Sequence, residues 1–317
     1  GLALLLMPLV PKLGQNINGA RLWVRLGPVS FQPVELGKLA LVIFFASYFV
    51  EKRELLTLPT ARIGNRLVTD PRPFGPVVLA WAFSLVVMTA EHDIGFSLLL
   101  FVIFISLLWV TTGRVLYLVV GAVLFALGAL VAAHLFGQVH ERIAVWLDPW
   151  RVSQTTGYQI VQGQYALGTG GIAGSGLGLG QPGLIPVVTS DFIFAAFGEE
   201  LGLVGTTFLV GAYVVLVGAG MRIALKCRSD FAKLLTVGFT ALLGFQAFFI
   251  MAGVVRLLPL TGVTLPFVAY GGSSLVANYV LIAILMRISN EAAEWDALGP
   301  PHAESSASST MTGTGSR

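Results

Sequence analysis

Apolar residues follow one another in long unbroken runs along most of this chain, and the polar residues are gathered between the runs. A helix needs about 20 apolar residues, at 1.5 Å each, to cross a bilayer core ~30 Å thick. Seven stretches approach that length, and residues 1–10 resemble the end of an eighth. The seven stretches are 36–50, 75–90, 95–112, 115–136, 192–221, 234–256 and 271–287. The pattern therefore predicts an all-α, polytopic bundle of transmembrane helices.

Composition narrows the class of protein further. Hydrophobic residues make up 56% of the 317 and charged residues only 11%, so too little polar surface exists to cover a water-soluble domain. The apolar residues do not alternate with polar ones, which argues against an outer-membrane β-barrel. Cys227 is the single cysteine, so it cannot form an intrachain disulfide.

Basic residues predict the orientation of the bundle, because cytoplasmic loops carry an excess of Lys and Arg. They concentrate in three loops and after the last span, at Lys52, Arg53, Arg62, Arg66, Arg72, Arg114, Arg222, Lys226, Arg228, Lys233 and Arg287. The opposite loops are 11–34, 91–94, 137–191 and 257–270, and we expect them to face outward. The net charge of +3 is scattered rather than concentrated on one face, so we expect no nucleic-acid partner.

Two segments depart from the repeating pattern of span and short loop. The stretch 137–191 is much longer than an ordinary connection between helices, and we expect this large extracytoplasmic loop to carry function. Beyond Asn290 the composition turns to Ser, Thr, Gly and Ala. The predicted organisation is a transmembrane domain at 1–290, followed by a disordered cytoplasmic tail at 291–317.

The strongest candidate for chemistry is Asp191, which directly precedes the apolar residues 192–194. Two interpretations are open. Its carboxylate could cap the N-terminus of the following helix, or it could be a partly desolvated general base facing an outer cavity. Glu199 and Glu200 lie two turns further along, where a charge needs a partner, a cavity or a proton.

Further candidates are charged or polar residues at the outer ends of spans. Glu35 and Lys38 are one helical turn apart and should pair, either as an anchor or as the lining of an anion-binding cavity. We expect Arg21 and Arg25 to lie one helical turn apart around Trp23, as an interfacial anchor or as phosphate ligands. The Pro- and Gly-rich segment 257–275 adds Tyr270, Ser273 and Ser274 near its end. His134 and His140 lack metal-site spacing, and no P-loop lysine is present, so we expect neither a metal cage nor a nucleotide.

Four separated motifs, in order, carry a resemblance to a known family. They are NGARLWVRLGPVSFQPVELGKLAL, the LDPW and GYQIVQGQYALGTGG pair, TSDFIFAAFGEELGLVG, and LLPLTGVTLPFVAYGGSSL. Together they resemble the SEDS family, the RodA/FtsW/SpoVE proteins of bacterial cell-wall synthesis, from Gly1 to Asn290. The RLLPLTG and SLVAN segments are similar to sequences of the actinobacterial branch and favour RodA. The ten-helix plan of the family implies that about eight helices are present, with about two N-terminal helices and part of a third missing.

The resemblance also implies an activity, a site and partners. It implies a peptidoglycan glycosyltransferase that polymerises lipid II at the outer face of the cytoplasmic membrane, beside a class B penicillin-binding protein that crosslinks the product. The family's essential aspartate, in a motif usually written HTDFIF, falls on Asp191. Val187 and Thr189 occupy the positions of the Glu and the His in the family's PEAHTD motif. We therefore expect that neither the Glu nor the His side chain is required for the chemistry here.

The expected mechanism is direct displacement. Asp191 would take a proton from the acceptor sugar hydroxyl while a lipid diphosphate leaves, which would invert the anomeric centre. Lys38, Arg21 and Arg25, with Glu35 orienting Lys38, or a divalent cation such as Mg²⁺ or Mn²⁺, would stabilise the departing charge. Three alternatives remain open at this point, namely a division polymerase of the FtsW type, a lipid II flippase, and a scaffold for a transpeptidase.

Overall fold

The computed structural model describes residues 1–9, 14–17, 20–26, 29–57, 61–63, 66–68, 82, 86, 94–135 and 137–298. Helices dominate these residues, which confirms the all-α prediction. They are α1 (Leu2–Leu6), α2 (Pro33–Glu51), α3 (Arg53–Thr57), α4 (Ile94–Thr112), α5 (Leu116–Leu135), α6 (Gly137–Leu147), α7 (Tyr158–Gly170), α8 (Ile193–Lys226), α9 (Asp230–Val254) and α10 (Gly272–Leu298).

Five of the described helices are long and apolar enough to cross a membrane. They are Pro33–Glu51, Gly95–Thr112, Ile193–Lys226, Asp230–Val254 and Gly272–Trp295. Leu116–Leu130 is apolar but shorter. All six coincide with predicted spans. The predicted span 75–90 lies outside the described residues, apart from Ala82 and Val86.

Two small antiparallel sheets were not expected from the sequence. Strands β1 (Gly14–Ile17), β2 (Ala20–Leu26) and β3 (Val29–Phe31) form one sheet in that order, and β4 (Ala61–Ile63) pairs with β5 (Arg66–Val68) in the other. The placement of Arg21 and Arg25 one helical turn apart is therefore wrong. Both lie on β2, where four residues span about 13 Å rather than one 5.4 Å turn.

The stretch 137–191 is also more regular than its description as a loop suggests. It contains α6 and α7, together with two short 3₁₀ turns at Pro149–Val152 and Pro182–Leu184. These elements pack against α8 and its neighbours and so hold the segment that leads into Asp191.

The last helix of the bundle ends later in the chain than the sequence predicts. Helix α10 continues to Leu298, so the prediction that disorder starts at residue 291 is wrong for the first eight residues. Contacts one turn apart support this extension: Arg287 Nε lies 3.1 Å from Glu291 Oε1, and Asn290 Nδ2 donates to Glu294 Oε1 at 2.5 Å. Residues 299–317 lie outside the described residues, and the disordered tail there stays a prediction.

Helix α9 lies at the centre of the bundle, between α2, α4, α8 and α10. Its close contact with α2 depends on Gly238, where an added Cβ would come within 2.6 Å of a Val42 methyl carbon. Phe45 and Phe49 of α2 pack edge-on and tilted against Phe104 of α4, with ring centroids 5.5 and 5.9 Å apart. This aromatic layer joins α2 firmly to the middle of the bundle.

Contacts between loops define two opposite ends of the bundle. At the basic end, which comprises 51–53, 226–233 and 287–295, Arg53 Nη1 lies 2.8 Å from Asp230 Oδ2, and the Arg228 guanidinium lies 6.0 Å from the Trp295 ring centroid. At the site end, which comprises 30–33, 189–191 and 270–273, the backbone N–H of Gln32 donates to Ser273 Oγ at 2.9 Å. The loop that carries Asp191 belongs to the site end.

Candidate functional site

Asp191 lies in an irregular turn immediately before α8. Phe192 is the N-cap residue of that helix, and no side chain among the described residues caps its first turn. The helix-cap interpretation of Asp191 is therefore wrong. Phe192 is fully buried, and its ring lies against Gly163 of α7, where an added Cβ would come within 2.6 Å. Burial of this ring fixes the position of the neighbouring carboxylate.

Contacts from two other segments hold the turn that carries Asp191. The Gln159 side chain donates to the carbonyl oxygen of Pro186 at 2.8 Å, and the backbone N–H of Tyr270 donates to the carbonyl oxygen of Thr189 at 2.8 Å. Val187 adopts a left-handed conformation with φ of 53°, which only a well-supported turn tolerates for a β-branched residue. The Asp191 carboxylate is therefore preorganised.

The local environment makes Asp191 a weaker acid than an ordinary aspartate. Burial disfavours the charged carboxylate and raises the pKa of Asp191 to about 6, while the Ser190 hydroxyl and the Arg142 guanidinium act in the opposite direction. A group with a pKa near the working pH can take a proton in a transition state and release it afterwards. These are the properties that a general base requires.

Arg142 on α6 is a site residue that the sequence analysis missed. Its Nη1 lies 3.4 Å from the carbonyl oxygens of both Leu260 and Thr261, so the guanidinium lies between α6 and the segment after α9. Its charge acts on the Asp191 carboxylate from there. Nothing in the local sequence around Arg142 indicates a partner 118 residues away.

Removing the Arg142 charge should change the acidity of the site. We expect Arg142→Gln to raise the pKa of Asp191 further, because an opposite charge nearby favours the carboxylate. The acid limb of the pH profile of the proposed activity should then shift upward by about 0.5–1 pH units relative to wild type. Measurement of initial rates between pH 4.5 and 8 checks this. The matched control is Arg151→Gln in the same loop, and an unchanged limb in Arg142→Gln would contradict the assignment.

Arg256 connects the same two segments through a reciprocal pair of hydrogen bonds. Its Nη2 donates to the carbonyl oxygen of Trp146 at 2.9 Å, and Trp146 Nε1 donates back to the carbonyl oxygen of Arg256 at 3.0 Å. Arg256 has a φ of 60°, which is unusual outside glycine and is supported here by these contacts. The pair keeps α6, and therefore Arg142, against the segment that follows α9.

A buried polar network connects several of the predicted binding residues. Lys38 Nζ lies 2.6 Å from Glu35 Oε2 and 2.9 Å from Gln246 Oε1, and both charged residues are 0% exposed. Gln246 Nε2 continues to the carbonyl oxygen of Thr264 at 2.8 Å, and the Thr264 hydroxyl lies 2.8 Å from Ser274 Oγ. The expected pairing of Glu35 with Lys38 is observed.

The other predicted binding residues have different environments. Ser273 accepts the backbone N–H of Gln32, which places it next to the start of α2. Tyr270 contacts the Asp191 turn through its backbone, while its side chain is 81% exposed. Arg25 is exposed, and the side chain of Arg21 lies outside the described part of the chain. Substrate binding by these residues, and by Glu35, Lys38 and Ser274, stays a prediction.

The glycine-rich stretch after α7 has a structural role that the sequence did not reveal. Helix α8 is broken at Gly202, which has φ of 66° and ψ of −163°. Segment 171–176, which we call the glycine clasp, supplies the missing backbone hydrogen bonds: Ser175 and Gly176 donate to the carbonyls of Glu199 and Glu200. The carbonyls of residues 171 and 172 accept from Leu203 and Val204. The break is thus stabilised by tertiary contacts.

Gly202 should be the most sensitive position of this break. An added Cβ would lie 2.3 Å from the backbone nitrogen of Gly174, and the backbone conformation is one that essentially only glycine adopts. We expect Gly202→Ala to destabilise the fold by about 1–3 kcal/mol. Thermal unfolding in detergent measures the effect. The control is Gly211→Ala on the same helix, where a Cβ meets no atom within 4 Å; equal effects of the two changes would contradict this explanation.

Comparisons with known proteins agree with this architecture. The sequence profile of the FtsW/RodA/SpoVE family, described as a cell cycle protein, matches residues 1–294. A peptidoglycan glycosyltransferase RodA from Mycobacterium tuberculosis is 46% identical over 293 residues, which cover 92% of this chain and 62% of the relative. A probable peptidoglycan glycosyltransferase FtsW from a Geobacter species is 36% identical over 290 residues, which cover 90% of this chain and 76% of the relative.

A solved structure shows the same fold. A chain from a peptidoglycan synthase complex, described as coordinating polymerization and crosslinking, aligns with a TM-score of 0.72 and 31% identity. The alignment covers 92% of this chain and 79% of that one. This chain therefore spans about three fifths of the length of the RodA relative and about four fifths of the solved chain.

Proposed function

We propose, from the premise that this chain belongs to the FtsW/RodA/SpoVE family, that it is the membrane-spanning part of a peptidoglycan glycosyltransferase that polymerises lipid II. The observation that carries the proposal is the Asp191 carboxylate. It is held in a preorganised turn at the site end, with a pKa raised by burial and an arginine nearby. The RodA and FtsW relatives are named as peptidoglycan glycosyltransferases, which supports the same reaction class.

In the proposed reaction Asp191 acts as the general base. Its carboxylate accepts the proton of the acceptor sugar hydroxyl as that oxygen bonds to the anomeric carbon of the donor. The bond between this carbon and the lipid diphosphate breaks, and the diphosphate leaves with the electron pair. A single displacement of this kind inverts the anomeric centre.

Cationic groups are needed where the diphosphate accumulates charge. Arg142 lies close enough to Asp191 to influence its ionisation, and we propose that it also faces the leaving group. Lys38 is enclosed by Glu35 and Gln246, so it can contact a phosphate only if its contacts with both side chains break. Mg²⁺ is commonly bound by substrate phosphates together with one or two carboxylates. The described residues contain no group of three or more His, Cys, Asp or Glu that could hold a metal ion, so a divalent cation would be held mainly by the lipid diphosphate. When bound, the ion would neutralise phosphate charge.

The positive-inside rule supports an extracytoplasmic site. Lys52, Arg53, Lys226, Arg228 and Lys233 all lie at the basic end of the bundle, opposite to the Asp191 turn. Basic residues of this density are typical of the cytoplasmic side. We therefore propose that the site end opens outward, where lipid-linked sugars are assembled into the wall of the bacterium.

The RodA relative is more similar than the FtsW relative, at 46% against 36% identity, which favours a role in elongation and shape over division. The solved neighbour belongs to a complex that both polymerises and crosslinks. We propose a class B penicillin-binding protein as the corresponding partner of this chain.

Gel analysis of glycan products from the purified protein tests the proposed activity. With lipid II as the substrate, we expect a ladder of glycan strands, and a higher rate when the transpeptidase partner is added. No product from correctly folded protein, with and without the partner, would contradict the proposal.

A further inference from the structure

A cavity of about 350 Å³ lies beside the Asp191 turn, between α7, the segment that follows it and the first turns of α8. Its volume falls in the roughly 300–1,000 Å³ range of small-ligand sites. Asp191 does not line it. Polar and aromatic side chains do, at Gln162, Tyr165, Thr169, Ser175, Gln181 and Glu199. The mechanism described above does not use these residues.

Glu199 supplies an unpaired acceptor at the wall of this cavity. The residue is 8% exposed, and its Oε1 accepts the backbone N–H of Gln181 at 2.9 Å. Its Oε2 is buried and has no hydrogen-bond partner among the described residues. A buried carboxylate oxygen left in this state is costly, so a rotation of the carboxyl group that brings Oε2 to a hydroxyl or amide hydrogen of a ligand would be favourable.

The position of Glu199 is fixed by the break in α8. Its backbone carbonyl accepts hydrogen bonds from both the N–H and the Oγ of Ser175, at 2.9 Å each. Gly180 lies so close that an added Cβ would come within 3.0 Å of the Glu199 carboxyl carbon. The glycine clasp and the residues after it therefore hold the carboxylate at the cavity wall, so the wall is rigid.

Tyr165 of the cavity lining, with Trp150 packed against it outside the lining, gives this side of the cavity an amphipathic character. The Tyr165 ring lies edge-on to the Trp150 ring, with centroids 5.6 Å apart, and the two residues are 55% and 48% exposed. Rings that remain open in this way offer an apolar face with a polar tip. Sugar rings carry both an apolar face and hydroxyl groups, so they match a wall made of aromatic, amide, hydroxyl and carboxylate groups.

Charge excludes one class of ligand. Among the described residues the lining contains the Glu199 carboxyl and no lysine or arginine. A diphosphate or a carboxylate would be repelled there, whereas a neutral sugar bearing hydroxyl and acetamide groups would not. This separates the cavity from the place where the leaving diphosphate must sit, next to Arg142.

We propose that this cavity is a second saccharide subsite, which holds a neutral N-acetylated sugar adjacent to the one that reacts at Asp191. The inference rests on the proposed function. Ile185 of the cavity wall is followed directly by the turn that Gln159 fixes at Pro186, so one short segment connects the two places. A sugar held there keeps a growing strand attached between additions, and the subsite therefore controls product length.

Binding and product length test this proposal separately from the chemistry. One probe is a lipid-free tetrasaccharide of alternating N-acetylated amino sugars, and the other is the lipid-linked disaccharide. The variants are Gln162→Ala and Glu199→Gln, and the control is Gln154→Ala, an exposed glutamine outside the cavity. Thermal unfolding selects the variants that remain folded. Gln162 is only partly buried on α7, so we expect its variant to fold. The Gln162→Ala variant therefore still tests the subsite if Glu199→Gln does not fold.

We expect Gln162→Ala and Glu199→Gln to weaken tetrasaccharide binding at least tenfold and to shorten the glycan products, with Gln154→Ala binding as wild type does. If only the lipid-linked disaccharide binds, and the cavity variants weaken its binding, the subsite is supported and its occupant is the precursor. Wild-type binding of both probes by both cavity variants would overturn the subsite. The wild-type protein could also bind the tetrasaccharide, lose that binding when the cavity is substituted, and yet form no polymer. That result would support the subsite and refute the proposed activity.

Discussion

Asp191→Asn should reduce lipid II polymerisation by about 10²–10⁴-fold, the usual contribution of a general base. Asparagine is close in size to aspartate but cannot accept the proton of the attacking hydroxyl. The backbone turn that Gln159 and Tyr270 hold does not depend on the carboxylate, so the variant should fold normally. The measurement is the initial rate of glycan formation by purified protein, with thermal unfolding to establish the integrity of the fold.

Asp148→Asn provides the matched control for this loss. Asp148 is an exposed carboxylate in the same segment between α5 and α8. The same substitution there should leave the rate within about twofold of wild type, since an exposed charge contributes little. If folded Asp191→Asn polymerises lipid II as fast as the Asp148→Asn protein, the proposed role of Asp191 is wrong.

The largest expected loss of stability comes from breaking the buried ion pair. Lys38→Met leaves the Glu35 carboxylate at 0% exposure without its cationic partner, because the ammonium of Lys38 is its only ion-pair partner among the described residues. Removal of one member of a buried pair costs about 3–5 kcal/mol. We expect a clear decrease in the midpoint of thermal unfolding in detergent.

Two further variants of this chain make the prediction specific to the buried pair. Lys52→Met removes the same kind of side chain from an exposed pair with Glu51, whose atoms are 2.7 Å apart, and should have little effect. The double variant Glu35→Leu with Lys38→Met should recover most of the lost stability, because no buried charge remains. A Lys38→Met protein as stable as the Lys52→Met protein would contradict the structural role of the pair.

Run length was enough to predict the spans that the structure describes, while the catalytic role of Asp191 stays a prediction. Six of the seven predicted apolar runs correspond to α2, α4, α5, α8, α9 and α10, because the length of a span is set by bilayer thickness. Asp191 was identified from its place at the edge of a run, and the structure adds the cause of its raised pKa. The pairing of Glu35 with Lys38 followed from their helical spacing.

Features that depend on tertiary contacts could not be predicted in the same way. The sequence predicts residues 192–221 as one uninterrupted span, and Gly202 breaks the helix only because the glycine clasp supplies its backbone hydrogen bonds. The spacing of Arg21 and Arg25 fits a helical turn and a strand equally well, so β2 was missed. Arg142 contacts the carbonyl oxygen of Leu260, 118 residues further along the chain, which no local pattern indicates.

The pH dependence of kcat/KM for lipid II polymerisation tests the central claim most directly, because it reports the ionisation of the free protein. A base acts only as the carboxylate. Because the pKa of Asp191 is raised to about 6, activity should be full above that pH and fall about tenfold per unit below it. An acid limb near pH 6 in the wild type is the predicted result. A profile that stays flat down to pH 4.5 in a folded protein would contradict the assignment of Asp191 as the base.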